Sequence, residues 1–368
     1  IFFGSFLFPP SGKSFKYFGR LDLRNGYWQF PLHPESRWIT SFVVDRKVYQ
    51  YRVVAQGLVC SAAYVQATME RILSPLLLKP VWIYLDDICF AAESPEDFLE
   101  LTREILILLR KNGLQCKPSK CMLGVPSITI LGHEVSRTGL CMSRSRISAV
   151  IDIPLPRNVK DLRSFLGMVN YMRDYIPDVS VLMRPLSSLV NVPPREWLWD
   201  DLSDAFLLLK QAVNEQISLF HLDYSYPLIL YTDASILGCG SALVNRLPAG
   251  DRVVSVSSHA FTSAEAKLKT IEQEAFGIVH GVLFHRSLLW GQAFVVFCDH
   301  RNLSFIHKGT SPKVTRWSIA LQDFNFAVVH VAGKDNVVAD ALSRLFAPAS
   351  TGSVMPIKAI RKKRKPPD

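Results

Sequence analysis

Residues 81–92 read VWIYLDDICFAA. Two apolar, β-rich runs flank a pair of aspartates, Asp86 and Asp87. The stretch predicts a β-hairpin with both carboxylates at its tip. A third carboxylate, Asp22, lies in another apolar run, FGRLDLRNGYWQF. Buried carboxylates without partners are costly, and adjacent ones resist joint ionisation. A divalent cation removes both penalties. Mg²⁺ takes hard oxygen ligands, and two such ions can clamp an in-line phosphoryl transfer. Taken singly, the aspartate pair also reads as a polar turn and Asp22 as a strand-end cap.

Working outward, residues 39–54, ITSFVVDRKVYQYRVV, predict a hairpin around Asp45-Arg46-Lys47. Downstream of the aspartates, Ser94 as N-cap, Pro95 and Asp97 open a helix. Its apolar stripe is Phe98, Leu101, Ile105 and Leu108, and Gly113 stops it. A second helix starts at Asn158 with the stripe Leu162, Phe165, Leu166, Val169 and Met172, and Pro177 ends it. A third begins near Asp200, with Leu202, Phe206, Leu209 and Val213 inward. After Pro227 the pattern becomes strand 228–233, strand 253–257, helix 270–289, strand 293–298, helix 313–323, strand 326–331 and helix 336–345. This alternation predicts an α/β and α+β multidomain chain.

The second half repeats the chemical logic of the first. Asp233 ends a strand in LILYTDAS, Glu274 lies on a helix in TIEQEAFGIVHG, Asp299 ends a strand in FVVFCDHRN, and Asp340 lies on a helix in NVVADALSR. Four carboxylates on four elements can converge at one sheet edge as a two-metal nuclease site. Each alone also reads as an exposed charge or a turn, and Glu272 competes with Glu274 for the helix position.

The 368 residues suit two or three domains. With 49% apolar and 20% charged residues, wholesale disorder is excluded. The net charge is +10, and the basic body suits a polyanionic partner. The seven cysteines form no CxxC pair. Scattered in this way, they read as reduced thiols of a cytosolic or nuclear protein. No run approaches the ~18 apolar residues of a membrane span. The Pro/Ser/Lys-rich stretch 347–368 contains RKKRK at 361–365 and is expected to be disordered. The run reads equally as an import signal, a nucleic-acid clamp or a solvated tail.

The ordered set LDLRNGYWQ, QGL, YLDD, QCKPSKC, ITILGHEVSRTGL, LRSFLGMVNYMRDYIP and PLSSLV resembles the Pol polyprotein of gypsy-like long-terminal-repeat retrotransposons. The resemblance covers roughly residues 14–346. It implies a right-hand polymerase palm and fingers with helical thumb and connection, then a ribonuclease H-like mixed-sheet domain. The implied divisions are 1–13 as an atypical junction, 14–151 as fingers and palm, 152–222 as thumb and connection, 223–346 as the ribonuclease H-like domain, and 347–368 as a basic tail.

Residue by residue, the resemblance makes Asp22, Asp86 and, more peripherally, Asp87 catalytic carboxylates holding two Mg²⁺. Tyr27 would lie under the incoming sugar and reject a 2′-OH. Gln56 and Gly57 would lie beside the nucleotide, with Gln56 replacing the family's usual Phe. Lys120 would protonate the leaving pyrophosphate, and Leu131-Gly132-His133 would form the hairpin gripping the primer end. Asp233, Glu274, Asp299 and Asp340 become the second two-Mg²⁺ set. Arg316 and Trp317 become contacts to an RNA/DNA hybrid. His300 and His330 are expected to be structural. The implied partners are primer–template, RNA/DNA hybrid and deoxynucleoside triphosphates. Only 21 residues precede Asp22, shorter than the family's fingers segment, so a truncated palm is expected. The readings that follow are reverse transcriptase with ribonuclease H, ribonuclease H beside a crippled polymerase, or a nucleic-acid-binding relic without turnover.

Overall fold

The computed structural model describes residues 15–197, 199–299 and 312–331. The junction 1–13, His300, the helix 336–345 with Asp340, and the basic tail lie outside the described residues.

Strand β1 (Tyr17–Asp22) is central in the first sheet, whose order is β4-β5-β1-β6. Here β4 is Val81–Tyr84, β5 is Asp87–Ala92 and β6 is Met122–Val125. The 81–92 hairpin forms, with one correction. Asp87 is not at the tip but opens β5, opposite Tyr84. The turn is Leu85-Asp86, and only Leu85 has a positive φ, 56°. That conformation is uncommon for a leucine. Gln66, on helix α1 (Ser61–Ile72), holds it: its amide accepts from the Leu85 N–H at 2.7 Å and donates to the Ile83 carbonyl at 3.1 Å.

Helix α2 (Pro95–Lys111) starts as its cap predicts, with Ser94 Oγ accepting from the Asp97 N–H. Leu109, rather than Leu108, completes the fully buried stripe with Phe98, Leu101 and Ile105. The helix ends in a Schellman motif. Gly113 (φ 71°) and Leu114 donate back to the carbonyls of Arg110 and Leu109. The 39–54 hairpin is tighter than expected. Its strands β2 (Phe42–Val44) and β3 (Lys47–Tyr49) flank a two-residue turn, Asp45-Arg46, with positive φ at both positions.

A second sheet joins β7 (Ser127–Ile130), β8 (His133–Ser136), β9 (Gly139–Met142) and the short β10 (Leu219–Phe220). Of this sheet the sequence marks only the Leu131-Gly132 turn between β7 and β8. Helices α3 (Arg144–Ile151), α4 (Val159–Tyr171), α5 (Val179–Ser188) and α6 (Trp199–Asn214) follow. They share a core with β7–β10 through Leu162, Phe165, Phe206 and Leu209. Helix α4 ends at Tyr171, before Pro177, and a 3-10 turn at Arg173–Tyr175 leads on to that proline.

The third sheet has the order β13-β12-β11-β14-β15. Its strands are β11 (Leu228–Ala234), β12 (Gly238–Leu247), β13 (Gly250–Ala260), β14 (Ala293–Cys298) and β15 (Asn325–His330). β11 to β13 are antiparallel, and β14 and β15 run parallel to β11. β12 escapes the sequence pattern because it is buried on both faces and carries small residues. A Cβ at Gly238 would lie 2.3 Å from the His259 carbonyl, and one at Gly240 would lie 2.6 Å from Asp178 Oδ1. The expected helix 270–289 divides into α7 (Thr270–Phe284) and the single turn α8 (Arg286–Leu289), with buried His285 at the break. Helix α9 (Pro312–Leu321) precedes β15.

Candidate active sites

Two groups of carboxylates form, and they differ in construction. In the third sheet, β11 and β14 are parallel neighbours with Tyr231 opposite Phe297. The same register, continued by two residues, brings Asp233 and Asp299 to one end of the sheet. Helix α7 packs across β11 and β12 and points Glu274 at them from its second turn. Carboxylate oxygens of Asp233, Glu274 and Asp299 all lie within 4.8 Å of one another. Glu274 is buried, 3% exposed, and its Oε2 has no hydrogen-bond partner. Burial first, then repulsion by Asp299 and Asp233, pushes its carboxyl up to about 8. A buried acceptor without a donor, facing two more carboxylates, fits a hard divalent cation.

The two candidate glutamates of this helix point different ways: Glu274 faces Asp233 and Asp299. Glu272 turns back and accepts from the Lys269 N–H at 3.1 Å, capping α7. Trp317 packs edge-on against Phe276 at the core, while its neighbour Arg316 is exposed. His330 ends β15.

In the first sheet, Asp22 and Asp87 are directly opposite on antiparallel β1 and β5. The Leu23 N–H donates to the Asp86 carbonyl at 3.1 Å, which ties the turn to the end of β1. Gly26 makes room for Asp86. A Cβ there would lie 2.5 Å from Asp86 Cβ, so Gly26 in LDLRNGYWQ is a packing requirement. Burial, then repulsion by Asp87 and Asp22, raises the Asp86 carboxyl above the ordinary value.

Cations already stand beside these acids. Lys120 Nζ lies 3.3 Å from Asp22 Oδ2. Both Asp87 oxygens are engaged by Arg20, through Nε at 3.1 Å and Nη2 at 2.8 and 2.9 Å. Asp22, Asp86 and Asp87 do not share the tight convergence of the second set. The expectation that Asp87 is a metal ligand is not what this geometry favours. Sequence reading missed Arg20 and Gln66, because neither stands out without the register.

The remaining expected residues lie on several elements. Tyr27 is half-buried in a 3-10 turn against the palm-side core. Gln56 is exposed beside Gly57, whose φ is 93°. Gly132 (φ 87°) forms the β7–β8 turn against Arg146. The Tyr171 hydroxyl donates to the Leu131 carbonyl beside it. Arg173 donates to Ser180 Oγ and to the Ser258 carbonyl on β13, which ties the turn after α4 to the third sheet.

Residues 8–135 match the family model for reverse transcriptase (RNA-dependent DNA polymerase). Residues 223–324 match the model for the RNase H-like domain found in reverse transcriptase. The chain is 31% identical over 334 residues to the retrovirus-related Pol polyprotein from transposon 412 of Drosophila melanogaster, covering 90% of this chain and 27% of that one. It is 29% identical over 337 residues to the transposon Tf2-3 polyprotein of Schizosaccharomyces pombe, covering 89% and 25%. The chain thus spans about a quarter of these relatives' length. Among solved structures, a foamy viral protease-reverse transcriptase in complex with dsDNA aligns with TM-score 0.75 at 25% identity, covering 86% of this chain and 68% of that one. The same enzyme with RNA/DNA hybrid aligns with TM-score 0.73 at 22% identity, covering 96% and 48%. The α/β palm with its helical extension and the mixed-sheet domain share that fold. Both family domains thus match in order, and the likeness to retrotransposon Pol polyproteins runs along nine tenths of the chain.

Proposed function

We propose that the chain carries out two phosphoryl transfers: templated DNA synthesis at Asp22 and Asp86, and hydrolysis of RNA in RNA/DNA hybrids at Asp233, Glu274 and Asp299. The convergence of the last three within 4.8 Å supports the hydrolysis half of this reading. The motif set supports a gypsy-like source, with palm and fingers over 14–151, thumb and connection over 152–222, and the ribonuclease H-like domain over 223–346. It also supports Asp340 as a fourth ligand, a residue outside the described ones. The cation that hard carboxylate oxygens best suit is Mg²⁺, two per site, held by these residues. When bound, it supplies activation of the attacking oxygen and stabilisation of the leaving one.

The chain's own groups do the rest. Glu274 gives up its proton as the site loads, so loading is favoured above the pH at which it ionises. Asp233 and Asp299, at one end of parallel strands, would hold the cation that draws the reacting phosphate to the sheet edge. Exposed Arg316 meets the hybrid's backbone with a sequence-independent, salt-sensitive contact. At the first site Tyr27 lies beneath the sugar of a deoxynucleoside triphosphate, and Gln56 and Gly57 flank the base. Lys120, close to Asp22, donates the proton to the leaving pyrophosphate. Free thiols at all seven cysteines fit a cytoplasmic or nuclear setting. Among the described residues no helix is long and apolar enough to cross a membrane.

One observation favours a narrower second reading, ribonuclease H alone. The first site's Asp87 is already spoken for by Arg20. The deciding experiment is cleavage of a labelled RNA/DNA hybrid by the purified chain with Mg²⁺, beside its Asp233→Asn variant. Cleavage by the parent and loss of ~10³-fold in the variant are expected, the scale of removing a positioned electrostatic group. Equal rates, or none from a folded parent, overturn the assignment.

A further inference from the structure

Arg20 sits two residues before Asp22 on β1, so both side chains stand on one face of the sheet. Asp87, opposite Asp22, stands on the same face and diagonal to Arg20. Two like charges directly opposite on antiparallel strands destabilise the pair, and Arg20 offsets this by gripping Asp87 with two nitrogens. Its third nitrogen, Nη1, lies 3.4 Å from the carbonyl of Thr129. Thr129 belongs to β7 of the other sheet, two residues before the Leu131-Gly132 turn. Tyr171, through the Leu131 carbonyl, and Arg146, stacked 5.5 Å over the Tyr171 ring and pressed on Gly132, hold that turn from the helical side. One guanidinium therefore joins the strand that carries the Asp86 turn to the hairpin of the second sheet. Only a planar fork with a spare arm does this; an ammonium has no such geometry.

We propose that Arg20 is a positioning residue that uses Asp87 as its anchor and sets the distance between the Asp22/Asp86 site and the Leu131-Gly132 hairpin. This rests on the polymerase half of the proposed function. Asp87 then acts through Arg20 rather than on a cation. A primer end seated on the hairpin is held in line with the carboxylates only while the clamp is closed.

The test compares Arg20→Gln, Asp87→Asn and the double variant of the full chain in primer extension. With the clamp, each single variant loses ~10–100-fold in kcat, the scale of a misplacement of about 1 Å. The double variant loses no more than the worse single, and half-saturating Mg²⁺ stays within about twofold of the parent, because no ligand is gone. Arg20→Lys does not rescue. Amide exchange in residues 85–88 and 127–132 rises together in Arg20→Gln. A loss in Asp87→Asn at least tenfold greater than in Arg20→Gln, with a raised Mg²⁺ requirement and additive losses, overturns the proposal and makes Asp87 a ligand. Unchanged exchange in either segment overturns it as well. If the parent itself extends no primer, the polymerase reading fails, and the exchange measurement still decides the clamp.

Discussion

The two carboxylate sites solve the same electrostatic problem differently. In the first sheet the chain supplies its own cations: Arg20 on Asp87 and Lys120 beside Asp22. In the third sheet Glu274 is buried, its Oε2 has no donor, and it stays protonated up to about 8. The first arrangement is stable as it stands and sacrifices tight convergence. The second is convergent and strained, so its stability depends on what binds. The reason lies in topology. Antiparallel β1 and β5 place like charges opposite one another and leave a neighbour position for arginine. Parallel β11 and β14 deliver both aspartates to one end, with a helix to bring the third acid.

The largest expected effect sharpens this contrast at Glu274. Its folded pKa lies above the ordinary 4.5. The protonated form is therefore the one the fold favours. The associated stability is fully present below 4.5 and is lost as pH rises through about 8. Glu274→Gln should stabilise the cation-free chain at pH 8 by on the order of a few kcal/mol, reduce hybrid cleavage ~10²–10³-fold, and shrink the rise in Tm on adding Mg²⁺. Melting curves from pH 5 to 9, with and without Mg²⁺, check it. A variant that melts lower than the parent at pH 8 breaks the contrast.

Gly26→Ala comes next. The added Cβ meets Asp86 at 2.5 Å, and the turn must shift. Primer extension should fall ~10–100-fold while hybrid cleavage stays unchanged, at a cost of about 1–3 kcal/mol in stability. Extension and cleavage rates on one preparation, with a denaturant melt, measure all three. The smallest effect is at Lys120, whose side chain is 57% exposed. Lys120→Met should slow extension about tenfold and change stability by under about 1 kcal/mol. An unchanged extension rate removes Lys120 from the chemistry.

Much of this was legible in the sequence wherever one residue decides a backbone. Ser94 with Pro95 and Gly113 bracket α2, and Asn158 starts α4 with its side chain accepting from the Asp161 N–H. Asp22, Asp86, Asp233, Glu274 and Asp299 were visible as acids ending or facing apolar elements. What stayed hidden depends on contacts distant in sequence. β12 lacks alternation because both of its faces are covered, and its glycines are fixed by His259 and Asp178. Most of the second sheet consists of four-residue strands too short to show a period. Arg20 reads as an ordinary strand residue until the register sets it diagonal to Asp87, 67 positions away. Gln66 carries no signal in the sequence that it holds Leu85.

The central claim is that the chain holds two separate catalytic sites. Primer extension and hybrid cleavage should be measured with Mg²⁺ on a single preparation each of the parent, Asp86→Asn and Asp299→Asn. Asp86→Asn is expected to lose extension and keep cleavage within about twofold, and Asp299→Asn to do the reverse, each lost rate falling ~10³-fold. Either variant losing both activities, or neither, contradicts the account.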